Sequence, residues 1–88
     1  MNIEVLLFGK LRELAVRQQV VSINDGARLR DLVDWLVNKY GADFGEEVDH
    51  EERWHFLLNG RFYNPSDGME VSLKDRDVVA MLPMLAGG

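Results

Sequence analysis

The feature that most constrains this chain is a stripe in which Leu29, Leu32, Val33, Leu36, Val37 and Tyr40 recur at i, i+3, i+4, i+7, i+8 and i+11. That spacing lines one face of a continuous α-helix. Asn24 or Asp25 supplies a cap or turn before it. Gly41 suits the left-handed position after Lys39, whose charge favours the helix C-terminus. Trp35 lies off the stripe and covers its edge. A helix with one apolar face needs a layer to lie on. The rest of the chain offers short segments of strand character.

Residues 2–8 place Ile3, Val5 and Leu7 on one face of an extended strand. Gly9 ends it, and Leu11, Leu14 and Ala15 are spaced for a single helical turn that connects to a return strand at 18–23. Strand character resumes over residues 54–58. Asn59-Gly60 fits a type I′ hairpin because both positions accept positive φ, so Arg61-Phe62-Tyr63 runs back antiparallel. Residues 64–68 are dense in turn formers, and an irregular stretch at 69–73 leads to a turn at 74–77. The departing strand, 78–82, is nearly all apolar, which places it centrally and parallel to the first strand. Pro83 ends it. Residues 42–53 are acidic and read as a solvated loop. The class is α+β: a mixed sheet with one main helix packed across one face.

At 88 residues the chain fits one domain, here residues 1–83, with 84–88 as a flexible tail. So small a domain has little core to spare for a deep internal active site. Without cysteine there is no disulfide framework, thiolate zinc site or cysteine nucleophile. A net charge of −5 disfavours nucleic acid and favours an electropositive protein partner. No apolar run is long enough for a membrane span, and no basic region precedes the first one, so the expected address is the cytoplasm. His50 in the acidic stretch is weakly suited to a metal, and a solvated loop is the commoner reading. His55, beside Trp54 and Phe56, reads as a surface or hydrogen-bonded histidine, and no triad spacing occurs.

Chemistry therefore concentrates at the end of the sequence, Met84-Leu85-Ala86-Gly87-Gly88. Extended, a tail of that length reaches at most about 16 to 18 Å. Residues without Cβ pass through a narrow channel into another protein's active site. A terminal carboxylate there becomes electrophilic once converted to an acyl adenylate, which a sulfur nucleophile or an amine then attacks. Near the root of the tail, Met81, Leu82, Met84 and Leu85 form an apolar run. Part of it is core, or part is a docking patch extended by Pro83, Phe62 and Tyr63.

Several pieces taken together resemble the small sulfur-carrier subunits of molybdopterin synthase (the MoaD family). They are Leu7-Phe8-Gly9-Lys10-Leu11-Arg12-Glu13-Leu14-Ala15, residues 29–36, Leu58-Asn59-Gly60, Leu73-Lys74-Asp75 with Asp77, and Pro83 with Ala86-Gly87-Gly88. The likeness covers nearly the whole chain and implies the ubiquitin-like β-grasp fold. Arg76 replaces a glycine usual before Asp77, which suggests a turn without positive φ, and Met84 replaces a proline common in the tail.

The resemblance implies that an adenylating enzyme of the ubiquitin-activating kind, using ATP, activates Gly88, which becomes a thiocarboxylate. It also implies that the carrier docks on the molybdopterin synthase large subunit and delivers sulfur to a pterin precursor. Gly88 would be the reacting residue, with Gly87, Ala86, Leu85 and Met84 entering the partner. Met81, Leu82, Pro83 and Phe62 would dock, with no bound cofactor or metal and no catalysis by this chain alone. The alternatives are a ubiquitin-like modifier of the small archaeal type joined to lysines through Gly88, a thiamine-type sulfur carrier of the ThiS kind, and a plain β-grasp interaction module.

Overall fold

The computed structural model describes residues 1–84. Five strands form one mixed sheet: β1 (Asn2–Leu7), β2 (Gln18–Ser22), β3 (Trp54–Leu58), β4 (Arg61–Tyr63) and β5 (Val78–Pro83). Their order is β2-β1-β5-β3-β4, so the apolar fifth strand is central. It runs parallel to β1, with Val5 opposite Val79 and Leu7 opposite Met81, and antiparallel to β3. The long helix α2 spans Leu29–Tyr40, and the single turn α1 spans Lys10–Leu14. This is the β-grasp arrangement.

Period-two alternation sorts the strands cleanly. Ile3, Val5, Leu7, Val21, Trp54, Phe56, Val79 and Met81 are buried with Leu29, Leu32, Val33 and Leu36 of α2. Each such side chain contributes roughly 1.5–3 kcal/mol relative to full exposure, so this two-layer contact is the main source of stability. The hairpin between β3 and β4 turns at Asn59 (φ 50°) and Gly60 (φ 87°), as the dipeptide requires.

Of the two roles expected for Asn24 or Asp25 before α2, cap or turn, Asn24 takes the turn and the cap falls to another residue. Arg28 is the capping residue, and its backbone N–H donates to Asp31 Oδ2 at 2.8 Å. Asn24 instead accepts a turn hydrogen bond from Ala27 N–H through its carbonyl. The N–H groups of Leu29 and Arg30, in the helix's first turn, donate to the carbonyls of Val71 and Met69. The irregular stretch after residue 68 therefore satisfies groups that a helix start leaves without intrahelical partners.

The expected solvated loop at 42–53 is instead α3 (Ala42–Asp49) followed by a 3-10 turn at Glu51–Arg53. Phe44 and Val48, four residues apart, are buried, while Asp43, Glu46 and Asp49 face outward. Two apolar residues on one helical face suffice because Phe44 packs beside Tyr40 at 5.8 Å and closes the edge of the core. Residues 65–68 form a one-turn helix, α4 (Pro65–Gly68), with proline where its missing N–H costs nothing. Arg76 has φ 71°, so the turn before β5 does take a positive φ, with arginine in place of glycine. Asp77 holds that turn closed by accepting from Lys74 N–H at 2.7 Å and Asn59 Nδ2 at 2.8 Å.

Candidate functional site

The site is the place where β5 hands over to the tail. Pro83 pairs opposite Trp54 and has no N–H to give, yet the pairing continues one residue further: Met84 N–H donates to Arg53 O at 2.8 Å. A second contact fixes the same residue, since Met84 Sδ lies 3.1 Å from His55 Nδ1. Met84 is thus held through both main chain and side chain.

Gly9 sets the other wall. With φ 61° and ψ −138° it occupies a conformation that side-chain-bearing residues avoid. A Cβ there would lie 3.1 Å from Cγ of the Pro83 ring. The adjoining Phe8 N–H donates to Met81 O at 3.0 Å, so the end of β1 and the end of β5 are fastened together at the tail root. Glycine at this position lets the connector to α1 pass against the proline.

Beside the root lies a cleft lined by Glu51, Glu52, Trp54, Asn64, Pro65, Ser66 and Met84. Trp54 Nε1 donates to Val48 O at 3.0 Å, which ties that wall to α3. The Glu52 carboxyl is held below the usual carboxylate range, first by a hydrogen bond from its own backbone, which together with His50 and Arg53 outweighs the opposing effect of desolvation. It therefore remains anionic at neutral pH. No set of three or more His, Asp or Glu side chains among the described residues is placed to hold a metal. No helix among them is long and apolar enough to cross a membrane.

The face of the sheet opposite the core continues from the root as an apolar row. Strand register sets Leu6 beside Ala80, Ala80 beside Leu57, and Leu57 beside Phe62. One step nearer the tail, Leu82 pairs with His55, whose ring lies 4.6 Å from that of Phe62. Phe62 is 50% exposed and Met84 42%, while Leu6, Leu57 and Leu82 are half-buried. The result is an accessible apolar surface beside the exit of the chain.

Of the docking residues expected from sequence, Leu82, Pro83 and Phe62 do lie on or beside this surface. Met81 does not: it is 0% exposed, because alternation along β5 turns it into the core against Leu7 and Phe56. Met84 stands at the root. Leu85, Ala86, Gly87 and Gly88 lie outside the described residues. Sequence reasoning missed Leu6 and Leu57, although period-two alternation carried the signal for both. It also missed the His55 contact with Met84, which arises only from the pairing of β3 with β5.

Over its full length the chain is 37% identical, across 90 aligned residues, to the complete molybdopterin synthase sulfur carrier subunit of Chlamydomonas reinhardtii. It is 32% identical to small archaeal modifier protein 3 of Haloferax volcanii, again with all of both chains covered. A chain from the solved protein-protein complex of subunits 1 and 2 of the molybdopterin-converting factor of Helicobacter pylori superposes with a TM-score of 0.63 at 25% identity, covering 100% of each. The model of the ThiS family matches residues 5–88, and the chain belongs to that family.

Proposed function

We propose that this protein is the sulfur carrier of a molybdopterin synthase, working through the carboxylate of Gly88. The observation that carries the reading is the full-length 37% identity to a carrier subunit of that enzyme. It is supported by a Met84 anchored through main chain and side chain at an accessible apolar edge. In this reading an adenylating partner joins the Gly88 carboxylate to AMP and releases pyrophosphate from ATP. A persulfide on the sulfur donor then displaces AMP to give an acyl disulfide, and a thiol attacks the donor's sulfur in that S–S bond, forming a new disulfide with the donor and leaving the chain with a thiocarboxylate. Its ionised sulfur is a soft nucleophile that attacks the pterin precursor.

The body of the domain serves recognition. Phe62, Leu82, Pro83 and Met84 dock on the large subunit while the tail enters its active site, and the catalytic groups belong to the partners. The Helicobacter pylori chain, which comes from a complex of subunits 1 and 2, supports a partner of this kind. The cytoplasm supplies the ATP.

A second reading, conjugation of Gly88 to lysines of other proteins, is favoured by the 32% identity to a small archaeal modifier. Both readings share the adenylation step and differ in the attacking group. The test is to incubate the chain with its adenylating enzyme, ATP and a sulfur donor. Exchange of one oxygen for sulfur at Gly88 supports the carrier, and Gly-Gly remnants on digested lysines support the modifier. A variant extended by one residue beyond Gly88 should release no pyrophosphate. Full activity of that variant without trimming would overturn both readings.

A further inference from the structure

The methionines of this chain differ sharply in access to solvent. Met81 is 0% exposed, Met1 and Met69 are half-buried, and Met84 is 42% exposed. Thioether oxidation follows the oxidant's access to sulfur. Met84 is also distinguished by place: its sulfur lies 3.1 Å from His55 Nδ1, His55 packs on Phe62, and its backbone N–H is fixed on Arg53 O. A change at this sulfur is therefore made at the tail root, on the edge of the apolar row.

We propose that Met84 is an oxidation site, and that its conversion to the sulfoxide by hydrogen peroxide weakens docking of the carrier on its large-subunit partner. The docking half rests on the carrier reading above. In the step, a sulfur lone pair of Met84 attacks one peroxide oxygen and the O–O bond breaks. Sulfur loses two electrons, and the departing hydroxide takes the remaining proton and leaves as water. The product differs from the thioether in two ways that act together. A strongly polar S–O group at an apolar edge must be desolvated when the partner covers it. It is also a far better acceptor than a thioether for an N–H at His55 Nδ1, so it holds the Met84 side chain down on its own sheet. His55 Nδ1 carries that proton in one of its two neutral tautomers and in the protonated ring.

The experiment treats the carrier alone, before sulfur is loaded, with hydrogen peroxide, and removes the excess with catalase. Adding one oxygen to methionine and exchanging oxygen for sulfur at Gly88 change the mass by nearly the same amount, so fragment ions must locate the modification. Met84 should oxidise at least about tenfold faster than Met81. Titration against the large subunit should then show affinity reduced about tenfold, recovered after methionine sulfoxide reductase. In Met84→Leu the ratio of treated to untreated affinity, each read within that variant, should stay near one. Oxidation of Met84 no faster than Met81, or an oxidised carrier that binds as before, overturns the proposal and leaves the carrier reading standing. If untreated carrier fails to bind the large subunit, the carrier reading falls and takes the docking half with it, while the order of oxidation is read regardless.

Discussion

Replacing Gly9 with alanine tests how the tail root is built. The backbone at φ 61°, ψ −138° lies in a region that costs a non-glycine residue about 1–3 kcal/mol. The new Cβ would also sit 3.1, 3.2 and 3.3 Å from Cγ, Cβ and Cδ of Pro83. Carbon atoms prefer about 3.5–4.0 Å, so the ring must retreat by a few tenths of an ångström, at about 1 kcal/mol. Alanine also restricts the unfolded chain, which offsets about 0.5–1 kcal/mol. The net loss is about 1–3.5 kcal/mol, equivalent in a domain of this size to a fall in Tm of roughly 4–28 °C. Urea and thermal unfolding, followed by circular dichroism and by fluorescence of the buried Trp54, measure it. In a Pro83→Ala background the Cγ and Cδ contacts are gone and only the one to Cβ remains, so Gly9→Ala should cost up to about 1 kcal/mol less, a coupling visible in a double-mutant cycle. A loss under about 0.5 kcal/mol, or no coupling, would show that Gly9 and Pro83 do not meet as described.

Other substitutions separate stability from docking. Phe44→Ala should cost about 3–5 kcal/mol by urea denaturation, because its ring is 0% exposed in a helix that otherwise looks solvated; a loss under about 1 kcal/mol would return residues 42–49 to a loop. Arg76→Gly should stabilise by up to about 1 kcal/mol in the same assay, since it relieves a φ of 71° at the expense of chain entropy; destabilisation would contradict the turn geometry. Phe62→Ala should change stability by less than about 1 kcal/mol yet weaken binding to the large subunit about 10- to 100-fold by calorimetry, since the ring is 50% exposed and available to a partner. Unchanged affinity would remove Phe62 from the docking surface.

Much of the fold was legible because each strand and the long helix carries its own period. Ile3, Val5 and Leu7 alternate, Leu29 through Tyr40 repeat at helical spacing, and Asn59-Gly60 names its turn. The near-continuous apolar character of β5 announced its central place. The third helix was hidden because its acidic residues outnumber Phe44 and Val48, and a pair of apolar residues becomes a helical face only when a core edge stands ready to receive it. Arg76 misled for a related reason: Asp77 holds the turn shut from both sides, so tertiary contacts override the local preference against positive φ. Reading 81–85 as one apolar run concealed what alternation settles, namely that Met81 points inward and Leu82 outward. The contact of His55 with Met84 joins residues far apart in sequence and exists only once the register of β3 on β5 is set. The tail chemistry, by contrast, rests on the identity of Gly87 and Gly88 and on family likeness.

The central claim is that Gly88 carries sulfur for transfer. Its most direct test is to purify the protein from its own cells under conditions that preserve thioacids and to fragment the C-terminal peptide. The account predicts a fraction in which one oxygen of the Gly88 carboxylate is replaced by sulfur, and loss of that fraction when purified large subunit and pterin precursor are added. A terminus that is always an ordinary carboxylate, or sulfur that stays in place when both are supplied, would contradict it.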